Sequence, residues 1–250
     1  MNTAAVSAPR ASRNRLGLIR RNDGVVLQRG CDYGVPMNKT SIAGVRIPDS
    51  KLAQAATELV RDTESDLLFH HSTRVYYFGA LAGLRQKLKF DSELLYIGAM
   101  FHDMGLTKKY SSATERFEVD SANAARDFLQ QHGIDEAAID VVWDAIALHT
   151  TPGIPQHKKP EVALVTAGVE MDVLGLGYLD VPDAHREAVV NAHPRGDHFK
   201  EQIIHAFHDG FYHKPETTFG TVNDDVLALL DPKFKRANFC SIILNSAWRE

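Results

Sequence analysis

From Leu52 onward the apolar residues return at every third or fourth position, and no sustained alternation of period two interrupts them. Leu52, Ala55, Ala56, Leu59 and Val60 make one such stripe directly after Ile47-Pro48-Asp49-Ser50, where Asp or Ser can cap a helix N-terminus. A second helix is predicted from Ser65 or Asp66 to about Leu88, with Leu68, Val75, Phe78, Leu81 and Leu84 on one broad side. Further helices are expected over 91–103, 117–132, 135–149, 159–175, 182–192, 197–212, 222–230 and 236–247, punctuated by Gly133, Gly153 and Pro182. The pattern predicts an irregular all-α, multi-helix domain over 48–250, behind a non-helical N-terminal tail and arm over 1–47. Within that arm Met1 to Arg21 holds five arginines and no acid, a composition shared by organellar transit peptides and by ordinary unstructured termini.

A chain of 250 residues can bury a sizeable core, and no second core is visible in its pattern. Lys+Arg 28 against Asp+Glu 32 gives a net charge of −4, so nucleic acid is not an expected partner. The longest apolar stretch, Leu94 to Phe101, is far shorter than the ~20 residues that span a bilayer, so no membrane partner is expected either. Cys31 and Cys240 are the only cysteines and lie far apart in sequence, so no disulfide framework or cysteine-based zinc site is indicated. A cytoplasmic location is therefore expected, with organellar import as the alternative offered by the arginine-rich N-terminus. The partner expected is a small-molecule substrate, with self-association left open.

Histidine is the unusual count, 12 in all, and its most telling occurrence is Phe101-His102-Asp103-Met104-Gly105 at the end of a predicted helix. Neighbouring residues on a regular helix diverge by about 100°, so adjacent His and Asp can face one ion only where the helix finishes. Alone, the pair also reads as a histidine complementing the helix dipole beside an aspartate in a turn. Its company changes that reading: Phe69-His70-His71-Ser72-Thr73-Arg74-Val75 lies thirty residues earlier, and Glu170-Met171-Asp172 sits later among Ala163, Leu164, Val165, Ala167, Val169 and Val173. An ionised Asp172 facing inward there must be paired or coordinate something, whereas an outward-facing one would be solvated. Two imidazoles and two carboxylates form a mixed nitrogen and oxygen set suited to zinc, manganese or iron.

This order of residues resembles the HD-domain metalloenzymes, all-helical proteins whose pattern is His, then His-Asp, then a distant Asp. The resemblance covers roughly residues 48–245 and maps the metal ligands onto His71, His102, Asp103 and Asp172. His71 is preferred to His70 because Ser and then Arg-Val follow it, as in the family. Several stretches further resemble the cyanamide hydratases, a branch that converts cyanamide to urea at zinc: His71 to Gly79, His102 to Thr107, Arg116 to Ala122 and Leu148 to Thr151. The phosphohydrolase branch often carries Lys directly after His-Asp-x-Gly. Leu106 stands there, with Lys108 and Lys109 close behind.

The resemblance implies zinc-dependent hydration of the nitrile by metal-activated water, with Mn²⁺ or Fe²⁺ as less expected ions. The alternatives are a metal-dependent phosphohydrolase acting on a nucleotide or small phosphate ester, or a silent HD-fold binding protein. His149, Glu118, Asp120 and Thr107 are the polar candidates for moving protons and fixing the substrate. His149 also suits a helix C-terminus, Glu118 and Asp120 suit a first turn, and Thr107 suits a turn. Arg74 could hold a carboxylate near the metal or be a solvated charge. Tyr76, Tyr77 and Phe78 are expected to wall the pocket, since successive helix positions cannot all face one core. His205 and His208, three apart on one helix, are read as a polar or interfacial face.

Overall fold

The computed structural model describes residues 41–249, and the tail and most of the arm expected over 1–47 lie outside them. Among the described residues there are ten α-helices and no strands, and no helix is long and apolar enough to cross a membrane. The helices are α1 Lys51–Arg61, α2 Asp66–Arg85, α3 Ser92–Phe101, α4 Phe117–Gln131, α5 Glu136–Ala147, α6 Pro160–Val169, α7 Asp183–Ala192, α8 Phe199–Phe211, α9 Asn223–Leu230 and α10 Phe239–Leu244. Their starts follow local chemistry. Ser50 and Ser65 accept from the backbone N–H groups of Ala53 and Leu68, satisfying donors the first turn leaves without partners. Pro160 opens α6 at the position where its missing N–H costs nothing.

Helix α2 is the axis of the fold. From His71 to Leu81 every residue is buried, because α3, α6, α7 and α8 pack around it. Tyr76, Tyr77 and Phe78 are all buried, so the premise that successive helix positions cannot all face inward does not hold here: a helix enclosed on all sides buries successive positions. The Tyr76 hydroxyl donates to the Arg46 carbonyl at 2.5 Å, and its ring meets that of Tyr96 edge-on. Two glycines set the closeness of α2 to α6. A methyl group on Gly79 would lie 2.5 Å from the Leu164 carbonyl oxygen, and one on Gly168 would overlap the carbonyl of Val75.

The predicted 159–175 helix is interrupted. After Val169 the chain turns through a π-helical segment, Glu170–Leu174, and stops at Gly175 in the left-handed region. A widened turn rotates the side chains beyond it and commonly marks functional sites. It is what brings Asp172 inward. A second apolar cluster joins Leu68, Leu106 and Phe117 to Phe199, Ile203, Phe211 and Leu227, so α8 and α9 roof the end of α2 where His71 sits.

Candidate metal centre

His71 projects from α2, and His102 and Asp103 follow the last residue of α3. Helix α3 stops because Asp103 leaves helical geometry and Met104–Leu106 forms a 3₁₀ turn. Gly105 fixes that turn against α4: its N–H donates to Ser121 Oγ at 2.7 Å, and a methyl group there would overlap the Phe117 carbonyl. The His-Asp pair is thereby held where the helix ends, the one place where both side chains can face inward together.

His71, His102 and Asp103 are all 0% exposed, and one ligand atom from each lies within 4.8 Å of the others. The Nε2 atoms of His71 and His102 stand 3.1 Å apart, and Asp103 Oδ2 is 3.6 Å from the first and 3.4 Å from the second. The opposite ring nitrogens decide what this proximity means. His71 Nδ1 donates to Asp172 Oδ2 and His102 Nδ1 to the Ala99 carbonyl, each at 2.7 Å. Both acceptors require N–H on Nδ1, so in the neutral form of each ring the lone pair sits on Nε2 and points toward the other ring and toward a carboxylate. Burial holds His102 below its ordinary pKa against the opposing pull of Asp103. Neither oxygen of Asp103 has a hydrogen-bond partner despite complete burial. Two facing lone pairs and an orphaned buried carboxylate repel one another unless a cation lies among them, so the donor set fits a divalent ion. The cluster could hold a metal.

Asp172 stands elsewhere. Its carboxylate occupies Nδ1 of His71, whereas the cluster gathers on Nε2, and the two nitrogens of an imidazole point apart. Arg74 grips the same carboxylate through two bonds, Nε to Oδ1 at 2.8 Å and Nη2 to Oδ2 at 2.9 Å. Arg195 Nη1 adds bonds to Asp172 Oδ1 and to its carbonyl. Burial would raise the Asp172 carboxyl, but the bonds from His71 and Arg74 and their charges bring it well below the usual range. Arg74 is fully buried and also donates to the carbonyls of His193 and Pro194.

His149 closes α5 with Nδ1 donating to the Ile146 carbonyl at 2.6 Å, so its Nε2 lone pair is directed away from its own helix. That Nε2 lies 3.9 Å from Asp103 Oδ1, and its ring packs edge-on against His102. Burial, then the nearby His102, pushes the His149 pKa down to about 3, which leaves the ring neutral near pH 7. Glu118, also fully buried, accepts from Arg116, Thr150 and Asn223. Burial would raise its pKa, but Arg116 chiefly, with His149 and Thr150, holds it below the ordinary range. The Asp120 carboxylate is committed to Lys214 Nζ at 2.6 Å and to the Ser112 N–H at 2.9 Å. Thr107 Oγ1 donates to the Met104 carbonyl and closes the 3₁₀ turn.

Three participants escaped sequence reasoning. Glu64 is buried in the turn before Ser65, with Oε1 unpartnered and Oε2 accepting from Ser72. Burial and the charge of Asp103 push its carboxyl well above the carboxylate range, despite the Ser72 bond. An acid beside a cap residue carries no local sign of burial. Arg195 and His193 lie in an irregular Pro-Gly segment where no periodicity marks a facing side. His70 and His193 bring their rings to 5.8 Å, and the Nδ1 of each is buried without a partner.

Residues 68–187 match the HD domain, a family of generally metal-dependent hydrolases. The match begins at the first turn of α2 and ends inside α7, so it contains the His71, His102 and Asp103 cluster and omits the α8–α9 roof. No curated protein matches the chain.

Proposed function

We propose that the HD domain over residues 68–187 hydrates the nitrile of cyanamide to urea, with one divalent ion, zinc ahead of manganese or iron, held by His71, His102 and Asp103. An ion held there would supply Lewis-acid activation of water and of the nitrile. His149 takes up the proton released as the carbon–oxygen bond forms. Its lone pair faces the cluster and its other nitrogen is fixed by Ile146. The ionised Glu118 favours the imidazolium so formed, which returns the proton to the nitrile nitrogen. One water adds across one carbon–nitrogen π bond, and tautomerisation gives urea with no oxidant or reductant. Asp172, gripped by Arg74 and Arg195, orients His71 and keeps its proton on Nδ1.

What supports this reading over phosphoryl chemistry is the scarcity of free cations among the described residues around an enclosed site. Phosphoryl transfer relies on positive groups around the phosphate. Arg74 is committed to Asp172, while Lys108 and Lys109 are exposed, with Lys109 lying over the Tyr110 ring. Full burial of the cluster suits a neutral substrate of a few atoms. The family's general character favours the second reading, a metal-dependent phosphohydrolase acting on a nucleotide or small phosphate ester. Turnover of cyanamide and of a phosphate-ester panel on metal-analysed protein separates them. Urea release with little phosphate release is expected. Phosphate release without nitrile hydration overturns the reading, and a metal-loaded protein inert to both is a silent binding protein.

A further inference from the structure

His71, His102 and Asp103 are fully buried, so anything that reaches them must first displace a side chain. Most of their surroundings are held from several sides. Asp172 backs His71, the end of α3 carries His102, and the Phe117 ring, itself stacked on Phe211, backs His149. Phe199 is placed differently. It is buried with its ring 6.2 Å from that of His71, yet it is the first residue of α8 and follows an irregular segment at the surface.

Cations hold the Phe199 ring in place. The Arg195 guanidinium lies 3.9 Å from the ring centroid and that of Arg74 lies 4.9 Å from it, both within cation–π range. Arg74 also fixes the carbonyls of His193 and Pro194, so the chain is pinned up to that point. Beyond it the backbone is a weak strap. Residues 196–198 are exposed, and Gly196 and His198 both have positive φ. For His198, at +54°, that region is uncommon, and its side chain does not cap the first turn of α8. Exposed, uncapped backbone of this kind opens at low cost. Outside it, a groove of about 840 Å³ borders Asp172 and Arg195, and the Arg195 side chain is 29% exposed. The groove sets Arg186, Arg195 and Lys200 against Asp172, Asp183 and Glu187, a balance of signs that admits a neutral solute.

We propose that Phe199 is the door to the metal centre, latched by Arg195, and that its ring sets the size of substrate the site accepts. The path from the groove to His71 passes the Arg195 guanidinium and then the Phe199 ring. Opening swings the start of α8 outward about residues 195–198 and breaks the Arg195 bonds to Asp172. Arg74 keeps its own two bonds to Asp172, so His71 stays oriented while the door is open. Closure restores the ring over His71 and excludes bulk water from the site. The size limit rests on the hydration proposed above, whereas the door itself does not.

The test follows zinc release from the full-length, zinc-loaded protein into excess colorimetric chelator, for Phe199→Leu, Phe199→Ala and a control, Phe211→Leu. The Phe211 ring stacks on Phe117 and touches no ligand of the cluster, so its loss loosens the roof without touching the door. Both Phe199 variants are expected to release zinc about tenfold faster, because opening no longer breaks the cation–π contacts. The control should stay close to the wild-type rate. A door speeds entry as well as exit, so zinc uptake by the metal-free variants should accelerate by a similar factor and calorimetric zinc affinity should stay near the wild-type value. Circular dichroism checks that each variant is folded. Equal release from Phe199→Leu and Phe211→Leu overturns the proposal, as does faster release matched by an equal loss of affinity. For the size limit, kcat/KM for dimethylcyanamide relative to cyanamide should rise in both Phe199 variants, and an unchanged ratio overturns it. Faster zinc release from the Phe199 variants of a protein that hydrates neither nitrile upholds the door and removes the hydration reading.

Discussion

His71 Nδ1 donates to Asp172 Oδ2 at 2.7 Å across 101 residues of sequence, and this bond sets the other nitrogen of His71 as the one that faces Asp103. Asp172→Asn keeps an acceptor for that N–H but removes the charge, leaving Arg74 buried beside a neutral amide. Zinc affinity is expected to fall ~10–100-fold, as for other groups that act through a ligand, while saturating zinc still loads one ion per chain. Calorimetric titration of zinc into the variant measures both quantities. Complete loss of binding in a folded variant would instead make Asp172 a ligand.

The adjacent histidines separate cleanly. His71→Ala should abolish tight zinc binding and nearly all cyanamide turnover, because one of three converging donors is gone. His70, whose ring faces His193 instead, should tolerate alanine with metal retained and at most a partial kinetic defect. Metal analysis beside circular dichroism distinguishes a lost ligand from a lost fold.

Asp120 and Lys214 form a buried ion pair, and removing one member strands the other charge at a cost of about 3–5 kcal/mol. Asp120→Asn is expected to lower stability by that order in urea denaturation. Zinc stoichiometry and turnover per folded molecule should stay near the wild-type values. A fully stable Asp120→Asn protein without turnover would return Asp120 to the catalytic machinery.

Gly168→Ala tests the closest approach of α6 to α2. The added methyl meets the Val75 carbonyl, which is backbone and cannot swing aside. Overpacking of this kind costs about 1–3 kcal/mol or more, so the melting temperature should drop clearly. Gly133→Ala, at a positive φ with open space around the position, should lose less. Equal losses would show that contact with Val75 is not the cause.

Burial, aided by His70 and Arg74, brings the His193 pKa from 6.5 down to about 4. Between those values the unfolded chain binds the proton that the folded chain refuses, so this contribution to stability is present above pH 6.5 and is lost as pH falls toward 4. The urea midpoint of the metal-free protein should decline across that window, and His193→Asn should flatten the decline. An unchanged slope in the variant would remove His193 from the account.

Several features of the site were legible before any fold. The cap at Ser50, the start of α2 at Ser65 or Asp66, Pro182 just before α7 and the three- and four-residue apolar spacing are local, because a helix reports its ends and its buried side within a few turns. The His-Asp pair was legible for the same reason: only at the end of α3 can both residues turn inward. Glu64 and Arg195 carried no such mark, since an acid in a turn and an arginine in an irregular segment read as solvated until a distant surface covers them.

The sequence by itself determined an all-α chain, its helix order and the placing of histidine and aspartate at the end of α3, through short-range periodicity and capping. Tertiary structure alone decided the rest. Enclosure of α2 buried Tyr76, Tyr77 and Phe78 together, where a single amphipathic face would have left one outside. The π-helical turn after the Gly168–Val75 crossing rotated Asp172 onto the far nitrogen of His71, where Arg74 and Arg195 neutralise it. A carboxylate's partner is chosen by which charges a fold brings within hydrogen-bond reach, and those charges lie 98 and 23 residues away along the chain.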